Sequence, residues 1–331
     1  MGRSRRSLTH VRALALVAAV LLAAPIVRAD GLLYKPGDII VPVTTGSGMS
    51  LTASILVVAP DTSQATPIAT GNLLEPTELH AIALADNGDI LVLQKMGTGG
   101  NVVRVDGSSG DQSPVTSSTD YASSANIARF GDRLVFGESN TLIGLDLGTG
   151  DSAVIASDGF LNPNVSQSIL SVRPDSTSMV LVGNLSFLLR ISLDTGAQSL
   201  VADFNAGGYY DTETTDQGIL VLTFAGLVLL APDQDPTFVA NIQSGNTFGI
   251  LRDGTVVVGD GAQLYRVQTG SAPTLLYTPA DPSTVLGGLL VAPGAVPEPA
   301  GGQLVALLAL AALARAPSGR KLAAFVQTVH L

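Results

Sequence analysis

The 331 residues contain no cysteine, no tryptophan and only three histidines. Without cysteine there are no disulfides, no thiolate metal sites and no cysteine nucleophile. His80 is the one histidine away from the chain ends, so a Ser-His-Asp arrangement has a single candidate base. No Gly-x-Ser-x-Gly elbow is present to mark a nucleophile. Charged residues are also sparse, at 13%, whereas 46% are apolar, and such a chain can bury a large core. Residues 30–299 hold all 27 acids and only nine bases, a net charge of −18. That segment repels phosphate backbones, which excludes nucleic acid as a partner. Aromatics make up 5%, and although Tyr34, Tyr209 and Tyr210 could anchor a sugar or protein, no aromatic platform stands out.

What is present is a pair of signals around a repeat. Arg3, Arg5, Arg6 and Arg12 precede an apolar run at 13–27, and Val27-Arg28-Ala29 has the residue sizes of a cleavage site. Residues 1–29 therefore read as a secretory signal peptide cut between Ala29 and Asp30. The run is shorter than the roughly 20 apolar residues of a spanning helix, and an uncleaved anchor is the alternative. At the other end, Val296-Pro297-Glu298-Pro299 is followed by a glycine pair, an apolar stretch at 304–314, and Arg315, Arg320 and Lys321. This segment resembles the PEP-CTERM sorting signal of Gram-negative bacteria. The resemblance implies export, anchoring by a short transmembrane helix, and processing by an exosortase-type enzyme. Basic residues hold the cytoplasmic end of such a helix inside. An ordinary buried helix is the alternative.

Between the signals one pattern recurs, and internal period decides the fold before any single element does. A turn residue opens an apolar strand at Gly37, Gly88, Gly131, Thr177, Gly218 and Gly254, with a further equivalent point at Gly294, in steps of 36 to 51 residues. A third strand then runs into Asp106-Gly107-Ser108-Ser109-Gly110, Asp146-Leu147-Gly148-Thr149-Gly150 or Asp194-Thr195-Gly196, which is hairpin chemistry. Six repeats of this size predict an all-β, six-bladed β-propeller over 30–294, with residues 295–331 as the tail. The first repeat lacks an inner strand, while 285–293 is a spare strand. Pairing of the two would close the ring and remove a sheet edge. A β-sandwich or an open solenoid needs no spare strand. The texture resembles six-bladed propellers of the lactonase, low-density-lipoprotein-receptor and streptogramin-lyase kind.

Counting eight residues back from each turn point predicts a channel-facing register of His80, Ser123, Ile169, Tyr210, Asn246 and Leu286. Resemblance to a lactonase implies a central Ca²⁺ held by oxygen ligands, for which Glu78, Asn126, Asp211 and Glu213 are the candidates. Resemblance to a streptogramin lyase implies a histidine and a glutamate together, and Glu78 and His80, two apart on one strand, would share a face. Asp233-Gln234-Asp235 and Asp106 with Asp111 could hold surface Ca²⁺, but they lack the spacing of a calcium loop and read as turns. Two functions remain open. One is an exported, envelope-associated or secreted interaction module whose partner is exopolysaccharide or another surface component. The other is a propeller hydrolase or lyase using Glu78, His80 and a channel cation.

Overall fold

The computed structural model describes residues 31–46, 51–74, 78–96, 99–116, 127–162, 168–204, 208–242, 245–268 and 271–293. The signal peptide, the Ala29–Asp30 junction, the sorting motif with its basic residues, and the expected C-terminal helix lie outside them. Among the described residues no helix is long and apolar enough to cross a membrane.

Six antiparallel sheets follow one another around a centre. The inner strands of blades 2 to 6 are Glu78–Leu84, Ala128–Phe130, Ser171–Pro174, Tyr209–Thr215 and Thr247–Ile250. Blade 1 is built from both ends of the chain. Ile39–Thr45, Thr52–Ala59 and Gln64–Thr70 supply its outer three strands, and Val285–Leu286 with Leu290–Val291 supply the inner position. Val43 faces Leu286 and Ile39 faces Val291, so the spare strand closes the ring as the sequence predicts. Just before it, the amide of Gly37 donates to Ala292 O at 2.9 Å, and that of Ala292 to Asp38 O at 2.8 Å.

The core is six wedges, one between each pair of neighbouring blades. Ile82, Val92 and Ile40 fill the wedge of blades 1 and 2, and Ala128, Val135 and Val182 that of blades 3 and 4. Phe248 with Leu222 fills blades 5 and 6, and Leu286 with Val257 and Val41 seals blade 6 against blade 1. Each second strand therefore buries both faces, which is why these strands read as unbroken apolar runs instead of alternating. The turn opening each second strand needs a left-handed residue, and Gly37, Gly88, Gly131, Gly218 and Gly254 all have positive φ. Blade 4 replaces that glycine turn with a wider one, closed by the amides of Asp175 and Ser176 on Met179 O.

The outermost strands carry a repeat of their own. Pro67-Ile68-Ala69, Val154-Ile155-Ala156, Leu200-Val201-Ala202, Phe238-Val239-Ala240 and Leu275-Leu276-Tyr277 each sit at a register shift against the third strand. Blade 2 shows the same order in Pro114-Val115-Thr116. The first residue of each triplet is exposed apolar surface, and the last is buried in four of the six. The bulge twists the rim strand and spoils it as a template for another chain.

The turns at Asp106 and Asp146 are held by their own carboxylates. Asp106 Oδ1 accepts the amides of Ser108 and Ser109 at 2.8 and 2.9 Å, and Asp146 Oδ1 those of Gly148 and Thr149 at 2.9 and 2.8 Å. The Ser108 hydroxyl, with those amides, draws the Asp106 carboxyl down to about 2.

Candidate functional site

Strand direction alternates within every blade, so all inner strands run the same way between two faces. They end on the face of the glycine turns, where Gly37 and Ala292 lie side by side. They begin on the opposite face, at the channel mouth. Two groups of side chains stand out along this path.

The first is a buried ion pair in the middle of the ring. Arg173, on the inner strand of blade 4, places Nε 3.0 Å from Asp211 Oδ1 and Nη2 2.8 Å from Asp211 Oδ2 on blade 5. Asp211 is fully buried and Arg173 is 6% exposed. The carboxylate also accepts Ser171 Oγ at 2.8 Å, its neighbour's amide at Thr212 at 2.8 Å, the Phe248 amide at 3.1 Å and Thr247 Oγ1 at 3.2 Å. One residue thus ties three blades together. Burial by itself would lower the Arg173 pKa, but Asp211 and Glu213 hold it above its ordinary value. Glu213, two positions along, has its carboxylate 3.8 Å from Arg173 Nη1 and keeps a 36% exposed side chain. Its pKa is raised, by desolvation first, with Arg173 pulling the other way.

This environment bears on the cation candidates. Asp211 is neutralised by a bidentate arginine and satisfied by four further donors, so an ion there would have to displace Arg173. Of the four candidates, Asp211 and Glu213 are those whose side chains are described, and Arg173 joins them. Asn126 lies outside the described residues, and of Glu78 and His80 only the backbone is described. Glu78 pairs with Lys95, and the ladder shifts register between Leu79 and Ala81. His80 and Tyr210 are bulge residues of their respective inner strands, so the register treating them as equivalents holds at these two positions. It fails as a channel lining at Ile169 and Leu286, which are buried in the wedges. Among the described residues no three His, Asp or Glu converge on a metal position.

The second group is aromatic and lies at the mouth. Phe224, in the hairpin after the second strand of blade 5, is 53% exposed. Its ring meets Tyr210 edge-on, with centroids 4.6 Å apart. The ring also rests on Gly208, where any Cβ would fall 1.3 Å from Phe224 Cδ2. Phe224 is therefore held with one side packed and the other open. Phe160 and Phe187 form a second edge-on pair, at 5.9 Å, on the same face between blades 3 and 4. Tyr34 is no part of this surface: it is buried on the opposite face, donates to Gly88 O at 2.7 Å, and is pushed up to about 12 by burial and then by Asp89.

A groove of about 540 Å³ lies at the rim of blades 3 and 4, lined by Arg133, Asp146, Asp151, Val154 and Asp194. Asp146 is already engaged by its own turn, and nothing in the groove converges on a ligand.

Sequence reading missed Arg173 and Phe224. Arg173 stands as a lone base inside an apolar inner strand, which was a usable signal. Phe224 was hidden in a short Phe-Ala-Gly hairpin.

The fold defines the protein as a six-bladed β-propeller. It is similar to a chain in the crystal structure of a nidogen/laminin complex, at 13% identity and a TM-score of 0.62, over 77% of this chain and 98% of that one. It is similar also to a protein of unknown function from Bacteroides caccae, at 13% identity and a TM-score of 0.52, again over 77% and 98%. A virginiamycin B lyase from Staphylococcus aureus gives 12% identity and a TM-score of 0.44 over 59% of this chain and 68% of that one. At these identities the likeness concerns the fold alone. No protein family matches the sequence, and no curated protein matches it.

Proposed function

We propose that this protein is an exported propeller that acts as a non-enzymatic interaction module, binding exopolysaccharide or another surface component through its channel-mouth face. The observation that carries the reading is the Tyr210–Phe224 pair, held by Gly208 and half open to solvent on the face opposite Gly37 and Ala292. Aromatic rings with few rotatable bonds offer contact area at low entropic cost. The central acid Asp211, by contrast, is committed to Arg173. Export is supported by the signal-like residues 1–29 and by the tail that begins at Pro297-Glu298-Pro299. In this reading an exosortase-type enzyme cuts the tail, and the domain is membrane-anchored until then.

The test has two arms. Intact-mass analysis of cell fractions should find a processed, soluble domain, and Pro297→Ala/Glu298→Ala/Pro299→Ala should remain full-length in the membrane fraction. Equal mass and equal compartment for both proteins would overturn the sorting part. Phe224→Ala should lose at least about fivefold in binding to surface polysaccharide purified from the source cells, since a stacked ring contributes on the order of 1–3 kcal/mol. Undiminished binding would remove the aromatic pair from the role.

A further inference from the structure

The ion pair at the centre reaches the strand that closes the ring. Thr247 Oγ1 lies 3.2 Å from Asp211 Oδ2 and 3.2 Å from the backbone nitrogen of Leu289. A carboxylate can only accept, and a backbone amide can only donate. The polarity is therefore fixed: Leu289 N–H donates to the Thr247 hydroxyl, which donates to Asp211. Donation into a charged group polarises the hydroxyl and makes it a better acceptor for the amide behind it.

Leu289 sits where the closing strand is weakest. Its ladder with Ile39–Thr45 is split into Val285–Leu286 and Leu290–Val291, with Gly287 and Gly288 between them. Across that gap blade 1 supplies one bond, from Gly287 N to Pro42 O at 2.8 Å. Blade 6 supplies the Thr247 bond from the other side, and the Leu289 side chain is buried in the wedge between blades 6 and 1. The chain of contacts runs Arg173, Asp211, Thr247, Leu289, from blade 4 through blades 5 and 6 to blade 1.

We infer that Asp211 is a positioning residue for ring closure: clamped by both arms of Arg173, it fixes the C-terminal strand through the Thr247 hydroxyl. The relay is complete only when Leu289, near the end of the domain, has docked. Closing the ring and satisfying the central charge are then one event.

Hydrogen exchange on the intact protein tests this. Thr247→Val keeps the shape and removes the hydroxyl, and it should raise the exchange rate of the Leu289 amide about fivefold, the usual scale for one hydrogen bond between neutral groups. Ser171→Ala removes a different donor to Asp211, on the blade 4 side, and should leave Leu289 protected. Thr247→Ser should restore wild-type exchange. Equal effects of Thr247→Val and Ser171→Ala at Leu289 would overturn the inference. Should Thr247→Val not fold, wild-type exchange in low denaturant decides. The amides of Leu289 and of Phe248, which donates to Asp211, should open together as one unit. Opening of the closing strand with Phe248 still protected would overturn it.

Discussion

Gly183 and Tyr209 leave each other no room: a Cβ on Gly183 would lie 1.7 Å from Tyr209 Cε1. The two residues belong to neighbouring blades, and Tyr209 is the largest side chain in the wedge between blades 4 and 5. Burial, then Asp211, holds its phenol above the ordinary pKa, so it stays neutral there. Gly183→Ala forces the ring or the blade to move. Overpacking of this severity costs about 3 kcal/mol, which lowers Tm by roughly 10 °C in a domain of this size. Scanning calorimetry measures it, and an unchanged Tm would mean that the wedge repacks freely.

Two acids on one strand should respond in opposite ways to loss of charge. Asp211→Asn leaves Arg173 buried without its counter-ion and should cost about 3–5 kcal/mol. Replacing both partners, Arg173→Met with Asp211→Leu, should regain most of that loss. Glu213→Gln removes a carboxylate that burial already disfavours, and should leave stability at pH 7 unchanged or slightly higher. Urea midpoints at constant slope give all three comparisons.

Acid sensitivity follows from the turns. Hydroxyl and amide donors lower Asp106 to about 2, and the Thr149, Thr255 and Ser283 donors lower Asp146, Asp253 and Asp281. A carboxyl lowered in the fold contributes stability that is present above its unfolded pKa of about 4 and is lost as pH falls through its folded value. Glu213, raised in the fold, has the opposite sign: its contribution is complete at low pH and lost as pH rises through its folded value. Stability should hold from pH 7 to about 5 and decline between about pH 4 and 2. These aspartates are exposed, so the slope should shrink in high salt. Asp106→Asn keeps a turn-forming side chain and should flatten part of the decline in a pH series of urea melts. A slope that this variant leaves untouched would assign the acid transition elsewhere.

Removing 285–293 uncovers the edge of Ile39–Thr45 and leaves the facing side of blade 6 unpacked. The shortened domain should associate, because an unpaired apolar strand is a template for another copy. Light scattering at matched concentration distinguishes this from a soluble monomer, which would show that the ring does not need its last strand.

The parts of this fold that were legible in the sequence are those with a backbone requirement. Gly88 and Gly254 sit where only a left-handed turn fits, so their spacing gave the blades, and the spare apolar segment gave the closure. The outermost strands were not read, although Thr-Pro-Ile-Ala-Thr, Ser-Leu-Val-Ala-Asp and Thr-Phe-Val-Ala-Asn lie in plain sequence. A bulge there puts an apolar residue outward, which breaks the alternation that marks a half-buried strand. The ion pair was missed for a related reason. The bulge at Tyr210 shifts the register of its strand by one, so Asp211 reads as a channel residue when it belongs to Arg173.

The pairing of first and last strands also has a mechanical side. First and last strands that meet at one edge, as at Gly37 and Ala292, are loaded in peeling geometry when pulled from that side. Pulling them apart first strains the Leu33–Gly107 and Tyr34–Gly88 bonds that pin the N-terminal segment to blade 2. The Gly37–Ala292 and Ala292–Asp38 bonds follow, then Leu290 and Val291, then the single bond at Gly287, and only afterwards Leu286 and Val285. Bonds loaded in sequence resist far less force than bonds loaded together. The seam that keeps the ring shut in free solution is therefore the place where a molecule stretched between its two ends would come undone, one rung at a time.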